Sequence, residues 1–260
     1  MRVIIGYSMR SGSTLLAHIL SGHSQARAYS DISSNWALAR IALGLQPPGT
    51  VCIKPVDLLY LQRRLRLWER YDRCIWLARD PRDAYLSTVE SGYAYLLWRR
   101  GRMEQGIDVG LLARWRRIYD SYLADPDPWY RVHYEDLVAE PDATLAGLLT
   151  YLDLPHEKLY PFQTFDIRHG GDYKIARSNT VRDDSRHRYR RELTAAQMEV
   201  FDRYLGPHMR ALGYPLSDDI PHFVGKCEAL HNPAPIQENV KYAQPIRHEA
   251  PIGSTCGMDE

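Results

Sequence analysis

The chain has 260 residues, 45% of them hydrophobic and 25% charged, enough apolar material to bury a full core and unlike a disordered or fibrous protein. A net charge of +1 gives no reason to expect nucleic acid as a partner. Apolar runs such as residues 3–6 and 74–78 fall far short of the roughly 20 residues that a bilayer span requires, and no basic leader precedes an apolar stretch at the start, so a cytoplasmic protein without an integral membrane segment is expected.

In chain order, residues 2–7 read as a buried strand and residues 14–20, with Leu15, Leu16, Ile19 and Leu20, as a helix ending near Gly22. Further strand-like runs at residues 50–53, 73–77 and 130–133 alternate with helical periodicity, as at residues 56–70 and 81–92. That alternation predicts an α/β fold with a central parallel β-sheet flanked by helices. Asp80 before Pro81 suits a helix N-cap, and Thr194 with Gln197 forms a capping box for a helix that stops at Gly213. One domain over residues 1–214 is expected, then a proline-rich extension, residues 215–260, that wraps the domain or is disordered. Cys52, Cys74, Cys227 and Cys256 lack metal-ligand spacing, and no metal is expected. Arginine far outnumbers lysine; its planar fork suits phosphate and sulfate, although coding bias produces the same excess.

The most informative segment joins the first strand to the first helix. Residues 6–14 read GYSMRSGST, in which small residues let backbone N–H groups close around an anion at a helix N-terminus. The nucleoside-triphosphate version of this P-loop carries lysine before its final Ser or Thr. Ser13 stands there instead, and the cation is Arg10, earlier in the loop.

This RSGST sequence after a strand resembles the 5′-phosphosulfate loop of sulfotransferases that use 3′-phosphoadenosine-5′-phosphosulfate (PAPS), and is closer to the tyrosylprotein and carbohydrate branches than to the lysine-bearing cytosolic branch. Residues 76–87, WLARDPRDAYLS, are similar to the family's 3′-phosphate segment, with Arg79 and Ser87 at the family separation. Residues 132–137, VHYEDL, resemble a later motif whose tyrosine, here Tyr134, approaches the adenine end. Residues 174–182 resemble the loop that closes over the 3′-phosphate, with Ser178, Asn179 and Arg182 as donors. The resemblance runs in order from Arg2 to about Tyr214, and it implies PAPS as donor, PAP as product and no required metal.

The same resemblance implies site roles. Arg10, Ser11, Gly12, Ser13 and Thr14 would hold the 5′-phosphosulfate, with Arg10 stabilising the leaving phosphate. Lys54, ending a strand, would touch the transferring group. Counting from Arg10 the distance at which the tyrosylprotein branch places its glutamate base reaches Asp31, which equally suits a helix N-cap. The acceptor would be a hydroxyl on a small molecule, glycan, lipid, natural product or peptide tyrosine; Tyr95, Trp98 and Trp115 form either an acceptor wall or the packed face of a helix. An oligomer is compatible with the sequence. A small-molecule or nucleotide kinase on the same loop-bearing fold, or a non-catalytic nucleotide-binding module, are the alternative readings.

Overall fold

Short, apolar, β-branched runs become strands, and amphipathic runs cover them. The order along the chain is β1 (Arg2–Tyr7), α1 (Ser13–Ser21), β2 (Ala26–Ser30), α2 (Ile32–Ala42), β3 (Thr50–Lys54), β4 (Arg73–Ala78) and α3 (Pro81–Glu90). A small hairpin, β5 (Met103–Glu104) and β6 (Ile107–Asp108), leads into α4 (Val109–Leu123), β7 (Trp129–His133), α5 (Tyr134–Ala139), α6 (Pro141–Tyr151), α7 (Tyr189–Glu192) and α8 (Ala195–Leu212). The computed structural model describes residues 1–30, 32–45, 48–55, 71–91, 102–125, 129–162, 179–180 and 183–220, without the side chains of residues 32, 33, 35 and 42. The described residues lie within one unit, Met1–Lys226. The expected helix at residues 56–70 lies outside the described residues.

Five strands make one parallel sheet in the order β2-β3-β1-β4-β7. Both faces are covered at the centre of the sheet, which is why β1, β3 and β4 read as apolar runs and not as alternating ones. Val3, Ile5, Tyr7, Ile75, Leu77 and Val132 pack with residues of α1 and α6 on one face. Trp76 and Ala78 point to the other face, into a core with α4 and α8. Trp115 is fully buried there, so it belongs to the packed face of α4 and not to an acceptor wall; Tyr95 and Trp98 lie outside the described residues. That core continues past Tyr214 to Ile220.

The helix signals act as written in the sequence. Asp80 caps α3 by accepting the Arg82 backbone N–H, Pro81 starts that helix, the Thr194–Gln197 capping box opens α8, and Gly213 closes it at φ 88°. Cys52 and Cys74 are buried, and burial pushes the Cys52 thiol up to about 12. Among the described residues, no helix is long and apolar enough to cross a membrane.

The topology fixes where a ligand can sit. From β1 the chain runs out to β2 and returns by β3, then crosses to the other side for β4 and β7. The carboxyl ends of β1 and β4 therefore flank a switch point, the place where open α/β sheets hold their ligands. The register sets Tyr7 beside Leu77, Ala78 beside His133, and Ser30 beside Lys54, so the segments that follow these strands emerge along one edge.

Candidate active site

The loop after β1 is a preformed concavity. Arg10 has φ 63° and Gly12 φ 88°, both left-handed, and α1 begins at Ser13 with no side-chain cap. The first N–H groups of any helix lack intrahelical partners, so an uncapped start offers donors and positive partial charge to an anion. Ser11 holds the loop closed, its hydroxyl donating to the Ser8 carbonyl at 2.8 Å. Ser11 and Ser13 are buried, and Arg10, Gly12 and Thr14 are half-buried.

The segment after β4 docks directly on that loop. Arg79 is 5% exposed; its Nη1 donates to the Arg10 carbonyl at 2.8 Å and its Nη2 to the Ser185 carbonyl at 2.9 Å. The Arg79 Nε is buried and makes no hydrogen bond among the described residues. A guanidinium has five donors, so this one is anchored by two carbonyls and retains the capacity to meet an anion. Arg10 Nε reaches the Ser87 hydroxyl on α3 at 3.2 Å. Arg10, Arg79 and Ser87 thus converge.

A neighbouring ion pair keeps Arg79 available. Asp80, the adjacent carboxylate, is taken by Arg82 through two buried bonds, 2.8 Å from Nε and 2.6 Å from Nη2. Arg82 also stacks on Tyr189, 3.9 Å from the ring centroid. Asp83 accepts the Tyr189 backbone N–H at 2.9 Å. Burial, reinforced by the nearby Asp80 charge, pushes the Asp83 carboxyl up to about 6.

Tyr134, the first residue of α5, joins the loop after β1 to the segment after β4. The Arg79 guanidinium lies 4.3 Å from its ring centroid, and its hydroxyl is 2.7 Å from Ser185 Oγ. The ring also floors the loop: a Cβ built on Gly12 would stand 2.5 Å from Tyr134 Cδ2. Beside it, Glu135 accepts the Asp80 backbone N–H at 2.9 Å and the Tyr214 hydroxyl at 3.0 Å, tying the β4 exit to the end of α8. Burial raises the Glu135 carboxyl above its ordinary range.

Lys54 is buried at the end of β3, with Nζ 5.2 Å from the centroid of the Tyr7 ring. Burial, and then the Lys54 charge, hold the His18 imidazole below its ordinary range. His23 and His133 have structural roles, His23 Nε2 meeting the Pro155 carbonyl at 2.9 Å and His133 Nδ1 the Tyr214 hydroxyl at 3.2 Å. Asn179 is exposed, and its carbonyl accepts the Phe162 N–H at 3.0 Å. Asp31, Ser178 and Arg182 lie outside the described residues. Sequence reasoning missed Ser185, Glu135 and Tyr119, which reach this edge by contacts 51 or more residues apart along the chain.

Solved structures share this architecture. The sulfotransferase domain from the curacin biosynthetic pathway aligns with a TM-score of 0.60 at 18% identity, over 83% of this chain and 98% of its own. The sulfotransferase domain of the Synechococcus PCC 7002 olefin synthase gives 0.58 at 17% identity, over 83% and 95%. A sulfotransferase from Mycobacterium avium gives 0.50 at 11% identity, over 83% and 77%. At such identities the likeness speaks for the fold. Residues 65–158 in turn match the family model described as the sulfotransferase family. The match covers less than half of the chain. No curated protein matches the chain. The matched stretch includes β4, Arg79, Ser87 and Tyr134, while the loop around Arg10 precedes it.

Proposed function

We propose that this enzyme transfers a sulfuryl group from PAPS to an acceptor hydroxyl, with the donor lying across the carboxyl ends of β1 and β4. The observation that carries the reading is the convergence of Arg10, Arg79 and Ser87, with Arg79 bonded to the Arg10 carbonyl and Arg10 to the Ser87 hydroxyl. One adenosine bearing anions at both its 5′ and 3′ positions matches two adjoining cationic sites. The buried Arg79 Nε, which has no hydrogen-bond partner among the described residues, suits an oxyanion there, and the uncapped start of α1 suits the 5′-phosphosulfate. Tyr134, already stacked under Arg79, would flank the adenosine.

In the reaction the acceptor oxygen attacks sulfur as the bond from sulfur to the 5′-phosphate oxygen breaks, and PAP leaves. Negative charge grows on that leaving oxygen, where Arg10 and the loop N–H groups would stabilise it. Lys54 would neutralise the transferring group. The acceptor proton would pass to Asp31, and Asp31→Asn should then remove turnover while PAP binding persists. Ser178, Asn179 and Arg182 would close over the 3′-phosphate, and the acceptor would be a small-molecule, glycan or peptide hydroxyl.

Calorimetry with PAP against ATP tests the donor. PAP is expected to bind with micromolar affinity, about 8 kcal/mol, and Arg10→Ala or Arg79→Ala to weaken it about tenfold or more through loss of charge-assisted bonds. Magnesium-dependent ATP turnover would instead establish a kinase, and PAP binding without transfer to a broad acceptor panel a non-catalytic module.

A further inference from the structure

Three hydroxyls beneath the anion loop form a chain whose proton directions are fixed by elimination. Ser11 Oγ lies 2.8 Å from the Ser8 carbonyl, which can only accept, so the single Ser11 proton is spent there. Ser11 Oγ is 2.9 Å from Ser8 Oγ and must therefore accept from it. Ser8 Oγ, its own proton spent, must in turn accept from the Tyr119 hydroxyl at 3.0 Å. The protons run one way, from Tyr119 to Ser8 to Ser11 and back to the Ser8 backbone.

All three groups are buried: Ser8, Ser11 and Tyr119 are each at most 1% exposed. Tyr119 stands on α4, remote in sequence, and its ring is held edge-on by Trp76 at 6.4 Å and tilted against His208 at 6.0 Å. The loop it supports carries Arg10 at φ 63°, a conformation that costs a non-glycine residue energy and persists only where its surroundings impose it. A one-way chain of buried hydroxyls is suited to that task, since each bond polarises the next in a low-dielectric interior.

We infer that Tyr119 is a positioning residue for the 5′ anion, holding the Ser8–Ser11 turn, and with it Arg10, in binding geometry through the Ser8 hydroxyl. The inference rests on the proposed nucleotide reading and adds to it a specific dependence: the effect of Tyr119 is confined to ligands with a 5′-phosphate and passes through Ser8.

The experiment measures PAP and adenosine 3′-monophosphate affinities for the full chain by calorimetry. Tyr119→Phe should weaken PAP about fivefold, the loss of one ordinary buried hydrogen bond, and leave adenosine 3′-monophosphate unchanged. Tyr122→Phe, one turn along the same helix, removes a hydroxyl that serves Arg131 Nε instead; it should leave PAP affinity alone and controls for general loosening of α4. Tyr119→Phe made in a Ser8→Ala background should add nothing. Unchanged PAP affinity in Tyr119→Phe, equal weakening of both ligands, or a full Tyr119 effect in the absence of the Ser8 hydroxyl would each overturn the inference. A wild-type chain that binds neither nucleotide would overturn the functional reading itself, a result visible before any variant is made.

Discussion

Replacing Gly12 with alanine should damage stability and ligand binding together, and the structure gives the size of the effect. Gly12 sits at φ 88°, where an L side chain costs about 1–2 kcal/mol. The new Cβ would also stand 2.5 Å and 2.8 Å from two carbons of the Tyr134 ring. The ring cannot turn aside freely, because its hydroxyl bonds Ser185 Oγ and the Arg79 guanidinium lies over its face. Overpacking of this kind costs about 1–3 kcal/mol, so a total near 3 kcal/mol is expected, or a fall of about 9 °C in the unfolding midpoint for a domain of this size. Thermal unfolding followed by circular dichroism, with PAP titration on the same samples, reads both effects. Adding Tyr134→Ala should relieve the overlap and leave the backbone cost. A Gly12→Ala protein that melts with wild type and binds PAP normally would refute the picture of a loop seated on this ring.

Two further outcomes concern groups behind the site. Glu135→Ala leaves the Asp80 N–H and the Tyr214 hydroxyl buried without their acceptor, and should cost about 2 kcal/mol or more in denaturant unfolding. Glu135→Gln, which can accept from one and donate to the other, should stay near wild type. For Asp83 the folded carboxyl titrates at about 6 against 3.8 for the free group, so the folded state holds the extra proton between those values. Stability from this group is therefore greatest below about pH 4 and declines as pH rises to about 6, by on the order of 3 kcal/mol. The difference in unfolding free energy between wild type and Asp83→Asn, followed from pH 4 to 7, should show that slope; a flat difference would mean that Asp83 is not desolvated as its burial indicates.

Much of the framework could be read from residues. Strands buried on both faces must be apolar throughout, which made β1, β3 and β4 visible, and the Asp80-Pro81 and Thr194–Gln197 signals act locally, so they needed no tertiary context. The β5–β6 hairpin was not visible, because its turn is Gln105-Gly106 with both residues at positive φ, and glutamine is not a turn signal. Arg79 illustrates a finer limit. Two carboxylates, Asp80 and Asp83, lie within four residues of it, but Arg82 occupies Asp80 and the Tyr189 backbone bonds Asp83, leaving Arg79 to the loop. That division depends on which side chains face one another across the fold. The same holds for Glu135, Ser185 and Tyr119, whose partners are remote in sequence.

The seat of Tyr134 bears on how the protein comes together. Its ring touches Gly12 after β1, lies beneath Arg79 after β4, and is tethered to Ser185 far downstream. No fragment of the chain holds all these parts, so the pocket exists only once distant stretches have met. A nucleotide lodged there would ignore partly assembled forms and act as a clasp on the finished molecule, shifting its melting in proportion to the logarithm of ligand concentration. Saturating PAP would then guard the sheet as a whole against proteolysis, and not the loop alone.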